Sequence, residues 1–199
     1  MYIGAKKART DYQIINDDDN SYLQIKSAES ASGILWNFKF KPHESPILKW
    51  RWKVDTLISG SDGQNKSGDD YAVRIFILFA QDSSEISFWQ KIRNTTFRIL
   101  YGYDPPHSGL ILVWANIWQD KEYFKNPYDE DLMVWNIRQG TQETERWLSE
   151  EVNIIELFKR SFGKMPPKIA TLAIMGDSDN TGKSSLAFID YIEISGKRE

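Results

Sequence analysis

A chain of 199 residues with a formal net charge of -3 offers no basic field for a phosphate backbone, which excludes nucleic acid as a partner. It contains no cysteine, so disulfides, thiolate catalysis and cysteine-ligated metals are excluded together. With 8 Trp, 9 Tyr and 10 Phe it is 14% aromatic, a richness shared by sugar-binding surfaces and β-sandwich cores.

The length suits one domain over residues 1–199, since a chain of this size hides roughly 70% of its unfolded surface. No apolar run reaches the 18 to 20 residues or so that a membrane span needs. The opening MYIGAKKARTDYQ lacks the apolar middle of a signal peptide, so the chain as given reads as soluble.

In chain order, Tyr12 to Ile15 and Tyr22 to Ile25 read as a hairpin around the polar turn Asn16 to Asn20. GILWNFKF, Gly33 to Phe40, alternates as a strand that Pro42 ends. ILKWRWKVDTL sets Leu48, Trp50, Trp52 and Val54 on one face and Lys49, Arg51, Lys53 and Asp55 on the other, a half-buried strand of an antiparallel sheet. A Gly-rich loop from Ser59 to Gly68 leads into SGDDYAVRIFILFAQ. There Tyr71, Val73, Ile75, Ile77 and Phe79 recur with period two, and Asp70 with Arg74 fall on the other side, near a rim or groove.

The serines before Glu85 and the spacing of Phe88, Trp89 and Ile92 predict a short helix from about Glu85 to Asn94. Thr95 to Tyr103 fits neither period, and PPHSG reads as a loop. Strands follow at Leu110 to Trp118 and Leu132 to Arg138. Asn153 with Glu156 forms a capping box for a second helix, in which Ile155, Phe158 and Phe162 share a stripe and Gly163 ends the run. Ile169 to Met175 and Leu186 to Ser195 are the last strands, joined by GDSDNTGKSS. About eight strands with two short helices imply a mainly β architecture, an antiparallel two-sheet sandwich of jelly-roll type whose early and final strands pair.

Four segments, WRWKVD at Trp50 to Asp55, GDDYAVRIFILF at Gly68 to Phe79, IMGDSDNTG at Ile174 to Gly182 and AFIDYIEI at Ala187 to Ile194, resemble the bacterial domain of unknown function DUF3047. The likeness runs from about Leu48 to the end, with the segments in the family's order. It implies a β-sandwich similar to galactose-binding-like modules and a location outside the bacterial cytoplasm, periplasmic or extracellular. No established activity comes with it, and the missing leader departs from an exported pattern.

Two polar clusters carry the candidate chemistry. Asp177, Asp179 and Asn180 with Gly182 resemble the opening of a calcium loop, because hard Ca2+ needs several converging oxygens. The twelfth position from Asp177 is Phe188, so this is no EF-hand; the same residues are also simple turn formers. Asp69, Asp70 and Arg74 form the second cluster, joined by Arg51 and Arg138 from neighbouring strands. A carboxylate beside a guanidinium either pairs structurally or holds sugar hydroxyls. Trp114, Asn116 and Trp118 share a face that suits a stacking platform with an amide donor, or else the core. Asp190, in phase with apolar Phe188 and Ile192, requires a partner, for which arginine is the expected answer.

The only histidines, His43 and His107, sit beside prolines, and no Ser-His-acid or H-x-x-x-H spacing exists. The expected function is therefore non-catalytic binding of a carbohydrate or other polar ligand in a groove built by Arg51, Asp70, Arg74, Asn116 and Arg138. Two alternatives stand beside it. One is a glycosidase or lyase, whose hydrolysis needs two acids about 5 to 9 Å apart and which loss of product release in Asp70→Asn or Asp177→Asn would reveal; the other is a module that binds a protein partner.

Overall fold

Alternation of one large apolar residue with one charged residue builds the principal strand of the smaller sheet. In a computed structural model, which describes residues 2–3, 8–17, 20–36, 38–80 and 108–196, Leu48, Trp50, Trp52 and Val54 are all fully buried. Their charged neighbours point to the opposite side, the division a sheet with one wet face requires.

Among the described residues there are twelve strands, which are β1 (Tyr2–Ile3), β2 (Asp11–Asp17), β3 (Asn20–Ala28), β4 (Ala31–Leu35), β5 (Ile47–Thr56), β6 (Arg74–Phe79), β7 (Ser108–Ala115), β8 (Tyr123–Lys125), β9 (Leu132–Gln139), β10 (Leu148–Asn153), β11 (Ala170–Asp177) and β12 (Ser184–Ser195). One α-helix, α1 (Ile154–Phe162), accompanies them. The strands form a seven-stranded sheet, ordered β1-β4-β11-β6-β7-β9-β8, and a five-stranded sheet, ordered β10-β5-β12-β3-β2. The final strand β12 lies beside the early strand β3, as the jelly-roll expectation required. The helix expected from Glu85 to Asn94, the ambiguous Thr95 to Tyr103 and the loop up to His107 lie outside the described residues.

Not every pair is antiparallel. β7 and β9 run parallel, because the chain between them crosses over through β8 before returning in the same direction. The expected strand from Gly33 to Phe40 stops at Leu35. Beyond it the Trp36 N–H donates to the Leu172 carbonyl at 2.9 Å, and Thr171 Oγ lies 2.8 Å from the carbonyls of both Trp36 and Phe38, so side-chain contacts replace the regular ladder until Phe40 bridges to Ala170. In the organising segment the ladder starts at Arg74, and the period of two breaks before it: Val73 faces the main core, whereas Tyr71 packs with Ile111, Val113, Phe124 and Val134.

The core between the sheets is built on indoles. Trp50 and Trp52 stand edge to face at 5.4 Å, and Trp114 lies 5.8 Å from Trp52. An indole N–H in a dry interior needs an acceptor. Trp52 donates to Glu150 at 3.1 Å, Trp114 to the Gly140 carbonyl at 3.0 Å and Trp135 to Ser161 at 2.9 Å.

Asn153 caps α1 by accepting from the N–H groups of Ile155 and Glu156, and Gly163 closes it in the left-handed region at φ 68°. The buried residues are Ile154, Leu157 and Phe158, with Phe162 packed against the core beside them, so of the expected stripe only Ile155 gives way, to Ile154. Phe158 meets Phe79 at 4.7 Å, which seats the helix over the core.

Candidate functional site

Two segments noted separately in the sequence meet at one end of the larger sheet. The N–H of Asp177 donates to the Tyr71 carbonyl at 3.0 Å and the N–H of Tyr71 returns a bond to Asp177 Oδ1 at 3.1 Å. This exchange docks the end of β11 on the residues that precede β6. Asp70 then organises the turn after β11. Its carboxylate accepts from the backbone N–H and side-chain amide of Asn180 and from the N–H and hydroxyl of Thr181, at 2.7 to 3.2 Å. A carboxylate with four donors is held in place and neutralised by dipoles.

Arg74 is the cation at the centre. Its guanidinium bonds Asp69 at 3.2 Å, pairs with Asp177, and lies over the rings of Tyr71 at 5.1 Å and Phe76 at 5.8 Å. The expected pairing of Asp70 with Arg74 is therefore replaced. The register sets Arg74 opposite Met175, two residues from Asp177, so that carboxylate arrives first, while Asp70 turns to the loop. Asp69, Asp70, Arg74 and Asp177 are at most 5% exposed, which makes them a buried scaffold instead of the walls of an open groove.

The proposed groove is not assembled as one surface. Arg51 lies on the outer face of the smaller sheet and bonds Asp190 at 3.2 Å, which is the arginine partner expected for that aspartate. Arg138 lies elsewhere, bonded to Glu150 at 2.7 Å and Glu143 at 2.7 Å; the Glu150 contact holds its guanidinium above the usual range. Alternation placed each arginine on a face of its strand but could not say which sheet the strand would join. Trp114 is core, 1% exposed, and so is no stacking platform. Asn116 clamps two loops, accepting from the Ile58 N–H at 2.8 Å and donating to the Asp70 carbonyl at 2.7 Å.

Among the described residues, Asp70, Asp177 and Asp179 place carboxylate oxygens within 4.8 Å of one another. Asn180, expected beside the aspartates as an oxygen ligand, instead donates its amide N–H groups to Asp69 and Asp70, and its oxygen accepts from the Tyr128 hydroxyl at 3.0 Å. The oxygens of Asp70 and Asp177 are already taken by internal donors.

What this scaffold carries to the surface is aromatic. Trp118 is 76% exposed and Tyr128 56%. The residue after Trp118, Gln119, is buried: its N–H donates to Gln139 at 2.6 Å, its amide donates to Asp62 at 3.2 Å, and its oxygen accepts from Asn136 at 3.0 Å. Tyr128 donates to the Lys66 carbonyl at 2.8 Å, with the Lys66 ammonium 5.4 Å from its ring. Asn126 links Asp69 to this loop by accepting from the N–H of Tyr128 at 2.9 Å while donating to the Asp69 carboxylate at 3.2 Å. Both aromatic loops thus rest on the segment between Asp62 and Asp69. Separately, Ala28, Glu29, Leu57, Ser59, Gly182, Lys183 and Ser184 line a cleft of about 420 Å3. Sequence reasoning missed Gln119, Asn126 and Tyr128; the Asn-Pro-Tyr-Asp run at 126–129 was the available turn signal.

Burial raises the Asp69 carboxyl above its ordinary 3.8, outweighing the lowering by Arg74 and by the hydrogen bond from Asn126. A carboxyl raised on folding favours the folded state most fully below pH 3.8, and that contribution fades as the pH climbs through the folded value. Asp69→Asn is expected to remove this falling limb of the stability curve, measured by thermal melts from about pH 3 to 7. A variant whose curve parallels that of the wild type would reject the assignment.

The sequence matches the family DUF3047, described as a protein of unknown function, over residues 2–193. It finds no match among curated proteins. Among solved structures, the chain is similar to a family 12 xyloglucanase from Bacillus licheniformis in complex with ligand, with 7% identity and a TM-score of 0.46 over 96% of this chain and 99% of that one. It is also similar to the xyloglucanase domain of NopAA, a type three effector from Sinorhizobium fredii in complex with cellobiose, with 9% identity and a TM-score of 0.45 over 98% of this chain and 94% of that one.

Proposed function

The chain belongs to the DUF3047 family, and from that premise and the loop end just described we propose that it is a non-catalytic β-sandwich that binds carbohydrate. The observation that carries this reading is Trp118. An indole left 76% exposed forgoes the burial that usually justifies its size, yet its neighbour Gln119 is anchored by three hydrogen bonds. A ring presented on a rigid base suits the apolar CH face of a pyranose. On the loops that carry the exposed rings, Lys121 is held to Gln64 at 3.2 Å and Lys66 lies by Tyr128, which supplies polar groups for sugar hydroxyls. Asp69, Asp70 and Asp177 serve as the foundation; with their oxygens committed to internal donors, they favour binding over hydrolysis.

Trp118→Ala is expected to weaken retention on immobilised or gel-embedded polysaccharide by about tenfold, equivalent to about 1.4 kcal/mol. Its melting temperature should stay unchanged, since an exposed ring contributes little to the fold. Affinity electrophoresis against neutral and acidic polysaccharides makes the measurement. Wild-type protein that no polysaccharide retards, or a Trp118→Ala variant retarded as strongly as wild type, rejects the proposal. The calcium expectation for Asp177, Asp179 and Asn180 enters as a chelator arm, where binding lost on Ca2+ removal supports it and binding unchanged assigns these residues to the turn alone.

A further inference from the structure

The outer face of the five-stranded sheet carries a second aromatic and polar constellation, unrelated to the loop end. Alternation along β5 sends Lys49, Arg51 and Lys53 outward, and the register sets them against Glu151, Ser149 and Phe188 of the flanking strands. Glu145, in the left-handed region at φ 64°, donates its N–H to the Val54 carbonyl at 2.9 Å, and two residues later Trp147 immediately precedes β10. Trp147 meets Tyr22 at 5.4 Å and Phe188 at 6.3 Å, and Tyr22 meets Phe188 at 5.7 Å.

Cations dress this cluster. The Arg51 guanidinium is 5.3 Å from the Trp147 ring, and the Lys53 ammonium is 4.4 Å from Phe188. Asp190 accepts from Arg51 at 3.2 Å and from Asn20 at 2.9 Å. Its side chain is 11% exposed and that of Arg51 40%, so the guanidinium edge reaches solvent from a fixed base.

The fold does not need these rings outside, since the opposite face of β5 supplies the core. We propose that Tyr22, Arg51, Trp147 and Asp190 form a second glycan-binding site, selective for neutral sugars. Half-buried Trp147 and Tyr22 offer ring surface for a pyranose CH face, while the solvent-facing edge of Arg51 donates to a sugar hydroxyl and Asp190 holds that guanidinium in place. Charge decides between neutral and acidic glycans. Arg51, Lys49 and Lys53 each pair with a carboxylate, Asp190, Glu151 and Asp55, at 3.2 Å, so none of the three β5 cations is left over for a uronate. The site shares the ligand class of the loop-end reading but none of its residues.

Affinity electrophoresis in gels containing mixed-linkage β-glucan, galactomannan, dextran or polygalacturonate tests it on wild type, Trp118→Ala, Trp147→Ala and the double variant. Trp147→Ala and Arg51→Gln should each weaken retention in at least one neutral gel several-fold, also in the Trp118→Ala background, with no change in polygalacturonate. Arg51→Gln leaves the ring cluster standing, so its effect separates ligand contact from folding, with melting temperature as the control. Loss in the Trp147 and Arg51 variants alone upholds this site and removes the loop-end one. Loss in the Trp118 variant alone, retention only by polygalacturonate, or no retention of wild type overturns the second site.

Discussion

An Arg74→Met variant is expected to lose about 3 to 5 kcal/mol of stability, because it leaves buried carboxylates without their cation. Arg74 is 5% exposed and answers both Asp69 and Asp177, while Asp70 and Asp179 hold oxygens within 4.8 Å of Asp177. Met retains most of the aliphatic stem, so the loss reports on the guanidinium, its ion pairs and its contacts with Tyr71 and Phe76. For a chain of this length the shift should exceed roughly 6 °C in melting temperature. Arg74→Lys should recover only part of it, since a point charge cannot face two carboxylates with a fork. Adding Asp177→Asn to Arg74→Met should restore some stability, and that coupling is the sharper check. Urea unfolding that places Arg74→Met within about 1 kcal/mol of wild type would show that the cluster is wet and weakly coupled.

Trp52→Ala should cost about 3 to 5 kcal/mol by emptying the centre of the sandwich. The side chain is fully buried, stands between Trp50 and Trp114, and donates to Glu150. Glu150 keeps its bonds to Arg138, so the cost is the cavity more than an orphaned carboxylate. Trp52→Phe should therefore retain most of the stability. Equilibrium denaturation showing less than about 1 kcal/mol for Trp52→Ala would mean that the two sheets close over the gap.

How much of this was legible differs from residue to residue. The inward face of β5, the Asn153 cap and the Gly163 stop could be read directly, because each depends on neighbours within a few positions. The two acidic segments could be singled out but not joined. Tyr71 and Asp177 exchange one backbone bond and one bond to the Asp177 carboxylate across 106 positions, and no local pattern encodes that meeting. In α1 Phe158 and Phe162 pack inward as their spacing predicts, whereas Ile154 and Ile155 are equally apolar, and only contact with the sheet selects the first.

Adjacent residues alone were enough to read the class of structure and, along β5, which side chains leave water, since period-two burial is a local pattern. Only the tertiary structure decided that Arg74 would serve Asp177, that Arg51 and Arg138 would go to separate places, and that Trp114 would be enclosed while Trp118 remained outside. Pairing between distant strands sets those outcomes. It is governed by which packed arrangement of the whole chain buries the most apolar surface with its polar groups satisfied, and that is a property of no single segment.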